Sequence, residues 1–419
     1  MSGPARAAFR RVDACRVCGS RDFTSVVSLG ETPLANAFVD PARAIETESR
    51  FPLESMRCLS CALVQLSVVV TPELMFRNYL YATSASPPMV RHFESYADDV
   101  VARFAPPGSL VVEIGSNDGV LLRPLKARGA DPVGIEPAAN LAREANAAGL
   151  ETVNDFFGTA VARRLVAAKG RAKAALANNV LAHIDDLAGV LSGLDELLDD
   201  DGVLIAEVPY LVDLLDRVEY DTIYHEHLSY FAVAPLERLL APASLEVFDV
   251  RRLPVHGGSI RVFVGRAGRH APTAALIEAR AAERASGLED ESTYARFADR
   301  VAASRDELRR MVGGLRAEGR SVAALGASAK GNTLLNYCGL GPGDIEFVAD
   351  STPLKQGLLT PGTRIPIREE RALMEERPDC TLLLAWNYAD ALLERHRGYL
   401  AAGGRFIHPI PLARIIGGA

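Results

Sequence analysis

The sequence predicts an α/β protein with two Rossmann-like units and a small cysteine-rich domain ahead of them. Three observations carry this. Short apolar runs alternate with helical segments across residues 106–268, the pattern of parallel strands joined by crossover helices. A second, smaller series of the same kind begins after Gly319. Four of the six cysteines fall in two tight pairs near the N-terminus. At 419 residues the chain is also too long for one ordinary core.

Composition narrows the class. With 48% hydrophobic and 24% charged residues the chain reads as globular. A net charge of -7 and the lack of a basic run argue against a nucleic-acid partner. No apolar stretch approaches the roughly 20 residues of a membrane span, and the polar, arginine-bearing start has no secretion-signal core. A cytoplasmic monomer is the expectation.

Residues 1–70 hold the cysteine pairs, Cys15-Arg-Val-Cys18 and Cys58-Leu-Ser-Cys61. In a chain of this length without a secretion signal, such pairs point to metal rather than to disulfides. Each pair can sit on a tight turn, with Gly19 suiting the first. The four thiolates would fill every position of a tetrahedral zinc ion, so the zinc is expected to be structural. Cys338 and Cys380, in apolar surroundings, read as buried thiols. Residues 71–105 read as a connecting region ending in a helix over 89–104. Its polar aromatic patch, Tyr79 and Tyr81 followed by Thr83, Ser84 and Ser86, suits a sugar or phosphate, or ordinary packing.

In the unit at 106–268, strands are expected at 109–114, 132–136, 174–178 and 203–208, with 245–253 and 260–264 as an antiparallel hairpin around Pro254-Val-His-Gly-Gly258. The first strand runs into a turn where Glu113, Gly115 and Gly119 form an E-x-G-x-x-x-G pattern. Glycines let a backbone turn sharply and approach a ligand. Asn117 stands where a dinucleotide loop wants its middle glycine. S-adenosylmethionine (SAM) carries no pyrophosphate, so a looser loop suffices. Glu136, ending the second strand, can accept hydrogen bonds from both ribose hydroxyls. Asp155 and Phe156 follow the third strand and suit an adenine, and Asn178 ends the fourth. Polar groups at the carboxyl ends of consecutive strands point to a class I SAM-methyltransferase domain. A Rossmann domain for another nucleotide is the alternative.

The densest ionisable cluster, Tyr224-His225-Glu226-His227, follows the fifth strand. A catalytic ion on His225, Glu226 and His227 is disfavoured, because neighbours on a strand point to opposite faces and no H-E-x-x-H spacing exists. A general base fits better. Carbon methylation removes a proton from a C–H beside a carbonyl; histidine titrates near the right pH, and a carboxylate can orient it. The enolate then needs a hydrogen-bond donor, from a tyrosine or the second histidine. At least one of the two histidines is then structural. His183 can touch substrate or support the fold, and His256, in its glycine-rich turn, can also face the site.

Residues 269–319 are helical and rich in Ala, Arg and Glu, a natural spacer. Residues 320–419 form the C-terminal Rossmann-like domain, with strands at 321–325, 345–349, 381–385 and 405–408. Gly326-Ala-Ser-Ala-Lys-Gly331, between strand and helix, is a natural anion loop. Lys330 lacks the following Ser/Thr of a nucleotide triphosphatase. A substrate diphosphate is one use for the loop and a structural turn is the other. Lys330 and Lys355 are the only lysines after Lys173, and both lie in loops of this domain.

Over nearly its whole length the chain resembles the bacterial SAM-dependent C-methyltransferases of nucleotide-linked 4-keto-deoxysugars. The two CxxC pairs, E-I-G-S-N-D-G, N-x-L-x-H-I, Y-H-E-H, P-V-H-G-G, G-A-S-A-K-G and the late L-A-W-N-Y carry the resemblance. It implies a zinc-binding domain, a class I SAM domain and a C-terminal Rossmann-like domain, with a dTDP-sugar between the last two. It also implies His227 as the base for C3 deprotonation, Tyr224 and Glu226 as its helpers, and His183 as a pocket-lining histidine. Members often carry Asp where this chain has His225. The family includes C5-methylating enzymes and members with non-sugar substrates. The expected reaction is therefore proton abstraction alpha to a ketone and methylation of the enolate. An O-, N- or C-methyltransferase of a non-sugar natural-product scaffold is the alternative.

Overall fold

The computed structural model describes residues 8–76 and 83–417. Its centre is a seven-stranded sheet in the order Thr152–Val153, Asp131–Ile135, Leu110–Ile114, Ala172–Asn178, Leu198–Pro209, Ser259–Arg266 and Leu245–Leu253. The first five strands are parallel, and Ser259–Arg266 runs antiparallel to both its neighbours. All of Leu110–Ile114 is buried, as expected of a strand covered by helices on both faces. Strand order reverses between Leu110–Ile114 and Ala172–Asn178. In open α/β sheets that reversal opens a crevice at the carboxyl ends, where ligands bind. Residues 115–117 and 178–179 flank it.

Two segments expected as connectors are parts of the core instead. Helix Pro87–Arg103 buries Met89, Phe93, Tyr96, Ala97 and Val100, packing with Val111, Leu176, Ile205 and Phe263 of the sheet. Arg261 ties the two together. Its guanidinium lies 3.6 Å from the Tyr96 ring centroid and is paired with the fully buried Glu207, which His92 also meets at 2.9 Å. The segment read as a spacer forms Ala274–Ala285 and Glu291–Ala317. The longer helix buries Tyr294, Phe297, Val301, Leu308, Val312 and Leu315 and packs against Phe23–Thr32 and Ala329–Cys338. It braces the N-terminal sheet against the C-terminal unit.

The N-terminal sheet is antiparallel, and one of its strands comes from the central unit. Ser229–Tyr230 pairs with Val64–Leu66, which pairs with Phe51–Cys58 and that with Phe23–Thr32. The backbone immediately after the Y-H-E-H segment is thereby sewn into the cysteine-rich domain. The C-terminal sheet orders Ile367–Glu369, Val348–Asp350, Val322–Leu325, Cys380–Leu383, Arg405–His408 and Arg414–Ile416. Its last strand is antiparallel and the others are parallel. Among the described residues no helix is long and apolar enough to cross a membrane.

Candidate active site

A cavity of about 750 Å³ lies at the carboxyl ends of the central strands, and all three units wall it. It brings together ten residues predicted from sequence: Glu113, Gly115, Asn117, Glu136, Phe156, Asn178, His183, Tyr224, His227 and Lys330. Tyr79 and Tyr81 lie outside the described residues. His256 sits in the turn Val255–Gly257.

At one end the backbone forms a cradle. Gly115 has φ +70°, and a Cβ there would come within 2.8 Å of Val180 Cγ2. Asn117 and Asn179 are also left-handed, at φ 51° and 55°, a region asparagine tolerates better than most residues. Glu136 accepts from the Asn117 amide at 2.9 Å and the Ala138 amide at 2.8 Å, so it shapes the loop as well as facing the cavity. Gly119, at φ +77°, is not a lining residue. A Cβ there would lie 2.5 Å from Leu150 Cδ1, so its role is close packing under the loop. Asp155 is not a lining residue either: its carboxylate pairs with Arg164 at 2.7 Å. Phe156 is 62% exposed and stands at the rim.

The donor requirement of this end fits SAM. Glu113 is buried, and burial pushes its carboxyl well above the usual carboxylate range. One oxygen meets the Asn178 amide at 3.4 Å, while Glu113 Oε2, Asn178 Oδ1 and Asn179 Oδ1 are buried with no hydrogen-bond partner among the described residues. Orphaned polar atoms of this kind are costly unless a ligand satisfies them. SAM brings an ammonium and two ribose hydroxyls. Gly115→Ala is expected to weaken SAM binding about tenfold, since left-handed strain in a non-glycine residue costs roughly 1–2 kcal/mol. Calorimetric titration with SAM checks this, and an unchanged affinity would remove the loop from the cofactor site.

At the other end the Y-H-E-H residues separate. His227 Nδ1 lies 2.9 Å from the Thr222 main-chain oxygen. A carbonyl only accepts, so Nδ1 carries the proton, and when the ring is neutral Nε2 is left to accept from the Tyr224 hydroxyl at 2.7 Å. Both rings line the cavity. The His183 ring stands edge-on to His227 at 4.9 Å. Glu226 turns aside and accepts from Asn36 Nδ2 at 2.7 Å. His225 points away from the cavity, against Phe51 and the Pro52 carbonyl of the N-terminal sheet. The three residues cannot share an ion, and among the described residues the four cysteines alone form a metal-type cluster.

Burial holds both His183 and His225 down at about 4. In the unfolded chain a histidine takes up its proton near pH 6.5. Between these values the unfolded state binds more protons, so stability is full above about pH 6.5 and is lost as pH falls towards 4. By pH 5 each ring is expected to remove about 2 kcal/mol. Urea unfolding at pH 7.5 and pH 5 measures the loss, and His225→Gln should make it shallower. An equal loss in the variant would sink the assignment.

Three family profiles cover the chain in series: "Putative zinc binding domain" over residues 15–76, "Methyltransferase domain" over 89–250 and "C-methyltransferase C-terminal domain" over 254–411. C-methyltransferase NovU of Streptomyces niveus is 42% identical over 409 residues, which is 97% of each chain. The chain belongs to the SAM-dependent C-methyltransferases. The central unit of this C-methyltransferase has the class I fold. Solved structures to which the chain is similar include magnesium protoporphyrin IX methyltransferase (ChlM) from Synechocystis PCC 6803, with 17% identity, TM-score 0.33, and coverage of 42% of this chain and 79% of that one. The CcbJ methyltransferase from Streptomyces caelestis has 16% identity and TM-score 0.35, covering 45% and 94% respectively.

The zinc-binding domain of the C-methyltransferase has its donors assembled. The four sulfurs lie within 4.8 Å of one another, with Cys15 to Cys61 at 3.6 Å and Cys18 to Cys58 at 3.5 Å. Zinc–sulfur bonds of about 2.3 Å give a tetrahedron with edges of about 3.8 Å. The Cys61 thiol donates to Cys15 and pulls it down to about 5, an arrangement that suits thiolate donors. Four protein ligands leave no open position for substrate.

The cavity also holds residues the sequence did not single out as a site, Asn36 and Phe38 from the N-terminal domain and Asn387 and Tyr388 from the C-terminal one, together with Lys355, the second lysine noted in the C-terminal loops. Tyr388 belongs to L-A-W-N-Y, a motif visible in sequence without a role attached. Asn36 had no local signal; Glu226 orients it, and Asn332 holds its neighbour by donating to the Ala35 carbonyl at 2.8 Å.

Proposed function

We propose that this enzyme methylates a carbon alpha to the ketone of a dTDP-linked 4-keto-deoxysugar, C3 before C5, in natural-product biosynthesis. The observation that carries this reading is the Tyr224–His227 pair, opposite the SAM cradle in one cavity. SAM, when bound against Glu113, Gly115, Glu136 and Asn178, supplies an electrophilic methyl group. His227 takes the proton from the carbon at Nε2, with Nδ1–H held by the Thr222 carbonyl. The Tyr224 hydroxyl, which donates to Nε2 in the free enzyme, shifts its donation to the ketone oxygen as negative charge builds there. That exchange frees Nε2 as the base is needed. Apolar walls such as Val69, Val70, Met75 and Met89 keep water from the carbanion. The C-terminal wall supports a nucleotide diphosphate. Lys330 and Lys355 line it, beside the N-terminus of helix Ala329–Cys338, which Ser328 caps.

The test is incubation with a panel of dTDP-4-keto-deoxysugars in deuterated water, read by mass spectrometry. Deuterium at the carbon beside the ketone without SAM, and a methyl gain with it, is the expected result. Methyl transfer to a heteroatom without exchange would overturn the base mechanism. No reaction across the panel, against turnover of a non-sugar ketone, would overturn the substrate class.

A further inference from the structure

We infer that Asp221, gripped by Trp386 and Lys330 of the C-terminal unit, is a positioning residue that sets the orientation of His227. Asp221 and Thr222 are consecutive in the single turn Tyr220–Thr222. The Thr222 carbonyl accepts from His227 Nδ1 at 2.9 Å. The direction of that carbonyl therefore decides which ring nitrogen carries the proton, and so whether Nε2 is open towards the cavity.

The side chain beside it is anchored from the far end of the chain. Asp221 is fully buried, and the Trp386 indole N–H donates to its Oδ2 at 2.6 Å. Lys330 Nζ lies 3.7 Å from its Oδ1 and 4.6 Å from the Trp386 ring centroid. Glu219, just before the turn, meets the same lysine at 3.5 Å, and its carbonyl accepts from the Thr222 amide at 3.0 Å. A carboxylate without water or donors is strongly disfavoured. The turn holds this shape because the C-terminal unit supplies an indole and an ammonium. Docking of that unit is thereby linked, through one peptide unit, to the tautomer of His227.

The consequence for turnover rests on His227 being the base, whereas the geometric claim does not. The test separates the two. Full-length enzyme labelled with 15N-histidine gives imidazole spectra in which His227 is identified by its loss in His227→Asn. Wild-type enzyme should show one neutral tautomer of His227, protonated at Nδ1. Trp386→Phe keeps a ring for Lys330 and deletes the N–H donor with the second ring of the indole; Asp221→Asn keeps the shape and deletes the charge. Each should give mixed tautomers at His227, with deuterium exchange into the panel sugar slowed on the order of 10- to 100-fold. SAM affinity should stay near wild type. Unchanged His227 signals in either folded variant would overturn the proposal. Mixed tautomers with a wild-type exchange rate would support the positioning and instead remove His227 from the role of base.

Discussion

His227→Asn is expected to lower both substrate deuteration and methyl transfer by roughly 10³-fold or more, within the range that a positioned general base supplies. The variant should fold, because an asparagine amide can still donate to the Thr222 carbonyl that now receives Nδ1–H. SAM binding should survive, since the groups at that end (Glu113, Gly115, Glu136) sit at the ends of two different central strands. Tyr224→Phe should cost less, on the order of 10²-fold, as loss of one donor to a developing oxyanion does. It should slow exchange and methyl transfer together, since one enolate precedes both, while leaving both measurable because Nε2 remains. Paired rates of exchange and methylation, with SAM affinity as the control, make the distinction. Near-wild-type exchange in His227→Asn would place the base elsewhere. His183, the ring edge-on at 4.9 Å, would then be the first candidate.

What could be read in advance follows from how local each cause is. The cysteine pairs, the glycine turn after Leu110–Ile114 and the alternation of strands and helices are set by neighbours in sequence, and the structure carries all three. The fates of His225, Glu226 and His227 are not local. Three adjacent residues face three different environments because Ser229–Tyr230 pairs into the N-terminal sheet and drags the preceding loop against it. No periodicity signals that pairing, so His225 reads as a catalytic candidate although it packs on Phe51 and Pro52. Asp155 stands at the right strand end, but Arg164 on the next helix takes its charge. The helix Glu291–Ala317 is legible as a helix, and its buried face less so. Tyr294, Phe297, Val301, Leu308, Val312 and Leu315 recur at helical spacing, a buried stripe obscured by the many Ala and Arg residues between.

The largest effect on stability is expected from the zinc cluster, and it should reach the active site. Cys58 is fully buried at the end of strand Phe51–Cys58, and structural zinc contributes roughly 10–16 kcal/mol to folding of small domains. Cys58→Ser should yield protein with little zinc by elemental analysis and an early melting transition. The knuckle also carries Arg16, between Cys15 and Cys18. Its side chain is 4% exposed and its Nε lies 3.2 Å from Asp185, while Nη1 donates to the Leu228 carbonyl at 3.0 Å. Leu228 follows His227, and Asp185 lies two residues past His183. Losing the knuckle therefore releases both histidine-bearing loops from one buried cation, whereas the SAM cradle depends on the central sheet. Zinc-depleted enzyme should still bind SAM but should neither deuterate nor methylate substrate, and restoring zinc should recover both. Wild-type methylation by zinc-free, folded protein would break this link between knuckle and site. Loss of SAM binding in step with zinc would instead mean that the N-terminal sheet and the central unit unfold as one.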